Sequence, residues 1–259
     1  MTPLQLFRLE GRVAFISGSR GHLGAAMTRA LCAAGAHVII NGRDAVALAD
    51  FAAALAAEGY AVSPASFDAH DVDEIRGFFG ALPRLDILVN NAVAMQVKSF
   101  EALQPDDFAR TYASSVTATF ETVRAALPAL RAGVAASGEA SIVNIASMYG
   151  QVSPDARLYD DPAGQSPFHY GPAKAGLIQL TRHLAAQLGR ENIRVNALVP
   201  GPFPAAAPPA FAERLAQRTM LGRLGQPAEI GGPLLFLSSP AASFITGAAL
   251  TVDGGWTAW

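Results

Sequence analysis

Short runs of aliphatic and β-branched residues recur along the whole chain, separated by longer stretches with a helical spacing of apolar positions. The first run is "RVAFIS" over 12–17, and a helix follows it over about 23–34. "HVIIN" over 37–41 predicts a second strand, and "DAVALADFAAALAAEG" a second helix that Gly59 ends, with Asp44 placed to cap its start. A weaker third strand, "AVSPASF" over 61–67, precedes "DVDEIRGFFGAL", a helix that Asp71 can cap. "LDILVN" over 85–90 is the fourth strand, and one continuous helix is expected over 105–130 with Pro105 in its first turn. "SIVNIA" over 141–146 and "IRVNALV" over 193–199 flank a helix over about 169–188; helices near 208–220 and 227–238 lead to a last strand, "ALTVD", over 249–253.

Most of these strands are apolar without alternation, which is the signature of a sheet buried on both faces. Strands alternating with helices then predict a parallel sheet covered by helices on each side. The expectation is one α/β domain over 1–259, a doubly wound Rossmann-type fold with seven parallel strands. No repeat or interdomain linker interrupts it. The irregular stretch over about 150–167 reads as a substrate loop, and 200–259 as a segment for substrate and subunit contacts.

Composition narrows the function. Of 259 residues, 51% are hydrophobic and 15% charged, so a large core is assured and further apolar surface is expected between subunits. The net charge of −2, with no basic block, argues against a nucleic-acid partner. The first twelve residues carry Arg8, Glu10 and Arg12 where a secretory signal needs an apolar run. No uncharged apolar stretch of about 18 or more residues suggests a membrane span. The single cysteine, Cys32, is expected to be a small core residue. A cytoplasmic protein is the default, and no set of metal-ligating residues stands out.

"SGSRGHLG" joins the first strand to the first helix, with Gly18, Gly21 and Gly24 three apart. A turn there must be sharp, approach a phosphate closely and let helix pack on strand, while helix N-terminal amides face an anion. The position after the first strand makes dinucleotide binding the better reading of a motif that is weak alone. At the end of the second strand, where an acid would hydrogen-bond the adenosine ribose, the sequence reads "IINGRD". Gly42 stands in the acid's place, Arg43 follows, and Arg20 lies in the glycine turn. Two guanidiniums without an acid suit a 2′-phosphate, which favours NADP(H) over NAD(H).

Tyr170 and Lys174 stand four apart on a predicted helix and share a face. The pair reads either as a surface contact or as an ammonium that favours the phenolate. Tyr159 competes as a candidate base, but Ala163 stands where its lysine would be needed.

The glycine turn, "DILVNNA" over 86–92, "IVNIAS" over 142–147, "YGPAK" over 170–174, "IRVNALVPG" over 193–201 and "VDGG" over 252–255 occur in one order, and that ordered set resembles the short-chain dehydrogenases/reductases across nearly the whole chain. The resemblance implies a nicotinamide-dependent oxidoreductase that assembles as a homotetramer or homodimer. It implies Tyr170 as general acid/base, Lys174 as the residue that tunes it and holds the nicotinamide ribose, and Ser147 as the donor to the oxyanion. It places Ser19, Arg20, His22 and Leu23 beside the three glycines on the cofactor, with Asp68 near the adenine, Asn90 near the adenosine, and Ala92, Pro200 and Gly201 close by.

Several positions depart from the pattern. His22 stands where the middle glycine is usual, and Val93 replaces the last glycine of "NNAG", narrowing the groove. Ser115 aligns with an asparagine of the proton relay and is shorter, without an amide donor. The threonine that often follows "PG" is missing, since the chain continues "PFPAAAPP". The spacing from Ser147 to Tyr170 is unusually long, and Asp155, Arg157, Tyr159, Asp160 and Asp161 in that loop are candidates to grip a polar substrate. Trp256 and Trp259 are expected against a neighbouring subunit. The substrate reading is a small polar ketone or secondary alcohol, a sugar or sugar acid. Its rivals are a 3-oxoacyl thioester and, outside catalysis, an NADP(H) sensor.

Overall fold

A computed structural model describes residues 2–161 and 164–259. Strands β1 (Val13–Ile16), β2 (His37–Gly42), β3 (Val62–Ser66), β4 (Ile87–Asn90), β5 (Ala140–Ile145), β6 (Ile193–Pro200) and β7 (Ala249–Val252) form one sheet in the order β3-β2-β1-β4-β5-β6-β7. Every neighbouring pair is parallel.

Successive strand residues serve opposite faces, and both are apolar. Ala14 and Ile16 of β1 pack with Met27 and Leu31 of α1 (His22–Ala33), Leu48 and Leu55 of α2 (Ala45–Ala57) and Leu234 of α8 (Gly231–Ser238). Phe15, between them, packs on the other face with Ile75 and Phe79 of α3 (Val72–Gly80), Leu130 of α5 (Ala118–Ser137) and Leu184 of α6 (Tyr170–Leu188). That is why the strands read as unbroken apolar runs. Phe15, Phe67, Phe78 and Phe79 form a ring cluster with centroids 4.9 Å apart for Phe15–Phe79 and 5.9 Å for Phe15–Phe67. Full burial of Phe15 and of Phe79 contributes about 1.5–3 kcal/mol each, and the cluster anchors the segment after β3 that carries Asp68.

Local start signals behave as expected. Asp44 accepts from the Ala47 amide and Asp71 from those of Asp73 and Glu74, so each caps its helix. Cys32 is buried in α1.

The helix expected to run unbroken over 105–130 is instead α4 (Pro105–Tyr112), a π-type turn (Ala113–Thr117) and α5, which extends to Ser137 before Gly138 turns left-handed at φ 84°. The wider turn is tied by hydroxyls to backbone acceptors: Ser114 donates to the carbonyls of Thr111 and Ala94, and Thr119 to that of Ser115. An alanine-rich stretch carries no sign of such a turn beforehand.

The C-terminal segment adds α7 (Pro209–Arg218). Trp256 was expected against another subunit, but it is buried within its own chain against Met148, Leu158 and Leu215. The long segment after β5 folds back to cover it. Trp259 stays exposed, its indole donating to the Arg218 carbonyl, and the Arg218 guanidinium lies 5.4 and 5.6 Å from the two indole rings. Among the described residues no helix is long and apolar enough to cross a membrane.

Candidate active site

The chain reverses its winding between β1 and β4, and an open α/β sheet has its crevice outside the carboxyl ends of such strands. An open cleft of about 840 Å³ lies there. Its walls come from the turn after β1, the ends of β2 and β3, the segment after β4, one face of α4, the end of β5, the start of α6 and the segment after β6.

On one side, Gly18, Gly21, His22, Leu23 and Gly24 line the cleft at the start of α1. The amides of that first turn have no preceding helical carbonyls to bond, which leaves them available to an anion. Gly18 has φ 62°, and a Cβ on Gly24 would stand 2.1 Å from the Gly18 carbonyl oxygen, so the turn tolerates no side chain there. Asn91 stitches the turn to β4, its amide donating to the carbonyls of Ser17 and Gly18. Arg43 and Asp68 line the same end, 3.9 Å apart, with the Arg43 side chain mostly exposed. Asp68 does not cap α3; it accepts from the His70 amide.

Three cofactor candidates lie elsewhere. Ser19 is buried and donates to the Asn41 carbonyl, a brace between β1 and β2. Arg20 points to Asp44 at 4.0 Å and does not line the cleft. Asn90 is buried and donates to Asn144, its register partner on β5, which donates to Thr181. The next residue, Asn91, faces the cleft together with Ala92 and Val93. Val93 has no positive φ, so the glycine it replaces is not needed for backbone reasons here.

On the other side, Ser147, Tyr170 and Lys174 meet with Pro200 and Gly201. Ser147 sits where β5 gives way to a short 3-10 turn; its Oγ accepts from the Tyr149 amide, and it lines the cleft together with the Tyr170 phenol. Tyr170 opens α6, and Lys174, one turn later, is buried with Nζ donating to the Ile145 carbonyl at 2.8 Å. Nζ lies 5.7 Å from the centre of the Tyr170 ring. Burial lowers the Lys174 pKa to about 8. The expected depression of the Tyr170 phenol is not what the surroundings produce. Burial pushes it up, and the opposing pull comes from the Ser147 hydroxyl. Desolvation outweighs a lysine whose ammonium is directed at a carbonyl.

Ser115 is not brought to this cleft. It lies in the π-type turn, with a buried hydroxyl that finds no hydrogen-bond partner among the described residues. The polar residues of the long loop do not line it either. Asp155 caps a 3-10 turn and pairs with Arg157, while Asp160 pairs with Arg214. The hydroxyls of Tyr159 and Tyr149 are 3.1 Å apart. Asp161 is also off the cleft, and Ala163 lies outside the described residues. The loop folds over the outer side of the α6 start and lines a separate cavity of about 460 Å³ with Tyr149, Gln151, Gln165 and Phe168.

In their place α4 supplies Asp107, Arg110 and Thr111, which share one helical face by their spacing, and α6 supplies His169 just before its first residue. The Thr111 hydroxyl lies 2.9 Å from His169 Nδ1, and Nε2 lies 3.1 Å from the Gln96 carbonyl. A carbonyl only accepts, so Nε2 carries the proton, and in the neutral ring Nδ1 accepts from Thr111. These residues gave no sequence signal beyond being polar in an amphipathic helix and adjacent to Tyr170.

The cleft can therefore hold a long anionic cofactor from the glycine turn to Lys174 and present a polar group to the Ser147–Tyr170 pair. Known proteins agree with that geometry. The family model described as enoyl-(acyl carrier protein) reductase matches residues 19–257. A rhamnolipid-biosynthesis 3-oxoacyl-[acyl-carrier-protein] reductase from Pseudomonas aeruginosa is 33% identical, over 96% of this chain and 98% of that protein. A short-chain type dehydrogenase/reductase from Mycobacterium marinum superposes with a TM-score of 0.86 at 31% identity, covering 99% of each chain. A gluconate 5-dehydrogenase from Burkholderia cenocepacia, solved with NADP and tartrate, does so at 0.87 and 31%, again over 99% of each. With the ordered motifs, the sheet and the cleft in agreement, this chain belongs to the short-chain dehydrogenase/reductase family and is an NAD(P)-dependent oxidoreductase.

Proposed function

We propose that this protein is an NADPH-preferring reductase/dehydrogenase that interconverts a small polar ketone and its secondary alcohol, with sugars and sugar acids as the substrate class. The observation that carries the reading is the meeting of Ser147, Tyr170 and buried Lys174 on one wall of the cleft whose other end is lined by the glycine turn and Arg43.

The residues fit the dinucleotide: the amides of the first turn of α1 bind the pyrophosphate, Arg43 the adenosine 2′-phosphate, and Lys174 the nicotinamide ribose. The bound nicotinamide supplies or takes up the hydride at the reacting carbon. Tyr170, held as a neutral phenol by burial, gives its proton to the carbonyl oxygen in reduction and regains one from solvent. In the opposite direction it first gives its proton to solvent, and the phenolate then takes the hydroxyl proton. The Ser147 hydroxyl donates to the oxygen that gains charge and holds the substrate against Tyr170. Lys174 keeps a positive charge near the phenolate formed during turnover.

A 3-oxoacyl thioester is the second reading, favoured by the similarity to the Pseudomonas aeruginosa reductase. We further propose a cytoplasmic homodimer or homotetramer. Phe108, Tyr112 and Phe120 leave aromatic surface exposed along α4 and α5, and sedimentation should find an assembly above 26.9 kDa.

Fluorescence titration should show tighter binding of NADPH than NADH, and NADPH should be oxidised on adding ketoses or keto acids. Turnover confined to acetoacetyl thioesters supports the second reading. Binding without oxidation of NADPH by any carbonyl removes the catalytic one.

A further inference from the structure

The charged side chains lining the cleft divide between its ends. Arg43 and Asp68 stand at the β2–β3 end, Lys174 is buried beside Tyr170, and Asp107 and Arg110 stand on α4. Asp107 is buried and saturated: both carboxylate oxygens take the Lys98 ammonium, at 2.8 and 2.9 Å, and the carboxylate also accepts from the Gln104 amide and from Arg110 at 2.6 Å. Two cations thus share the Asp107 carboxylate, and the only other acid on α4, Asp106, makes no ion pair with Arg110 within 4 Å. The accessible positive charge is that of Arg110, whose side chain is 63% exposed, because Lys98 spends its ammonium on Asp107 and does not line the cleft. The contact to Asp107 uses one guanidinium nitrogen and holds the side chain in place, leaving its other donors open. Among the described residues, no carboxylate of the long loop lines the cleft.

Resting on the reductase reading above, we propose that Arg110 is the substrate's anion site: the enzyme prefers ketones that carry a carboxylate, which pairs with this guanidinium while the carbonyl sits at Ser147 and Tyr170. Arg110 is followed directly by Thr111, which bonds the residue preceding Tyr170, so the anion site and the reacting groups are fixed to one frame. A carboxylate matches the charge available. A phosphate monoester would want a second free cation, and Lys98, which shares Asp107 with Arg110, is committed to that carboxylate. Because the contact lies away from the reacting carbon, it acts on KM before kcat.

The test compares matched probes with NADPH: 5-keto-D-gluconate with L-sorbose, which has a hydroxymethyl in place of the carboxylate, and levulinate with methyl levulinate. The natural sequence should favour the acid in kcat/KM by about 10- to 100-fold, the worth of one charge-assisted pair. Arg110→Gln should bring that ratio near unity through KM, with Arg110→Lys between, since lysine keeps the charge and loses the fork. NADPH titration of each variant reports an intact fold. Equal rates within each pair, zero rates included, overturn the anion site, as does an unchanged ratio in Arg110→Gln or a larger preference for fructose 6-phosphate over fructose. If uncharged ketones are reduced without any acid preference, the reductase reading stands and only this assignment falls. If NADPH binds and no carbonyl is reduced, both fall.

Discussion

His169 Nδ1 lies 2.9 Å from the Thr111 hydroxyl, and this contact ties the start of α6 to α4 across 58 residues of sequence. Both side chains are almost fully buried, and the second ring nitrogen is bound to the Gln96 carbonyl in the segment after β4. The histidine preceding Tyr170 therefore joins three walls of the cleft.

Thr111→Val keeps the shape of the side chain and removes its donor. A buried Nδ1 without a partner costs about 1–3 kcal/mol, and chemical denaturation should show a loss of that size. The start of α6 is then less well fixed, so kcat should fall severalfold. A variant as stable and as active as the parent would show that the contact positions nothing.

Tyr170→Phe deletes the phenol hydroxyl and little else. NADPH binding measured by fluorescence should be retained while turnover falls by orders of magnitude, since the proton at the substrate oxygen loses its source. Ser147→Ala should cost about 100-fold or more in kcat by removing an oxyanion donor, and it also removes the hydroxyl that opposes the upward shift of the phenol. Near-parental turnover in Tyr170→Phe would take the acid/base role away from it.

Much of this site is legible in the amino-acid sequence, and the parts that are not share a cause. Strands buried on both faces announce themselves as unbroken apolar runs, and short-range devices such as the Asp44 and Asp71 caps depend on residues only three apart. Which of two adjacent asparagines faces the cleft depends on register: Asn90 meets Asn144 across the sheet, so Asn91 turns to the glycine loop. The burial of Trp256 depends on where a distant segment folds, and the π-type turn on hydroxyls bonding carbonyls one turn away. The rise in the Tyr170 pKa is a property of desolvation, which no i,i+4 spacing reports. Arg110 and Thr111 look like any amphipathic surface until α4 is seen to wall the cleft.

Arg43 offers a selective test of cofactor choice. It is exposed, lines the cleft and lies 3.9 Å from Asp68, so it is free to turn to a 2′-phosphate, while Arg20 is directed at Asp44. Arg43→Ala should weaken NADPH by about 10- to 100-fold, the scale of a lost guanidinium–phosphate pair, and NADH much less. Equal losses for both cofactors would refute the phosphate contact, and Arg20→Ala, expected to be mild, controls for general loss of positive charge.

Lys174 couples pH, stability and turnover. Burial lowers its pKa from 10.5 to about 8, so the folded state releases this proton more readily than the unfolded chain does. Between those values the unfolded chain binds more protons, and the contribution of this group to stability rises with pH. Below pH 8 the buried ammonium imposes its full cost, a shift equivalent to about 3 kcal/mol. Lys174→Met should therefore be more stable than the parent near pH 7, by up to about 2 kcal/mol once the unpaired Ile145 carbonyl is counted, and the gap should narrow as pH rises through 8 to 10. The same variant should lose most of its turnover, because no cation then stands beside the phenolate, and in the parent kcat/KM for reduction should fall as pH rises past about 8. Denaturation of both proteins at pH 7 and pH 9.5, read beside the pH–rate profile, checks each part. A less stable Lys174→Met at pH 7 would mean that the ammonium is held by more than desolvation allows, and a flat profile through pH 8 would separate its charge from the chemistry.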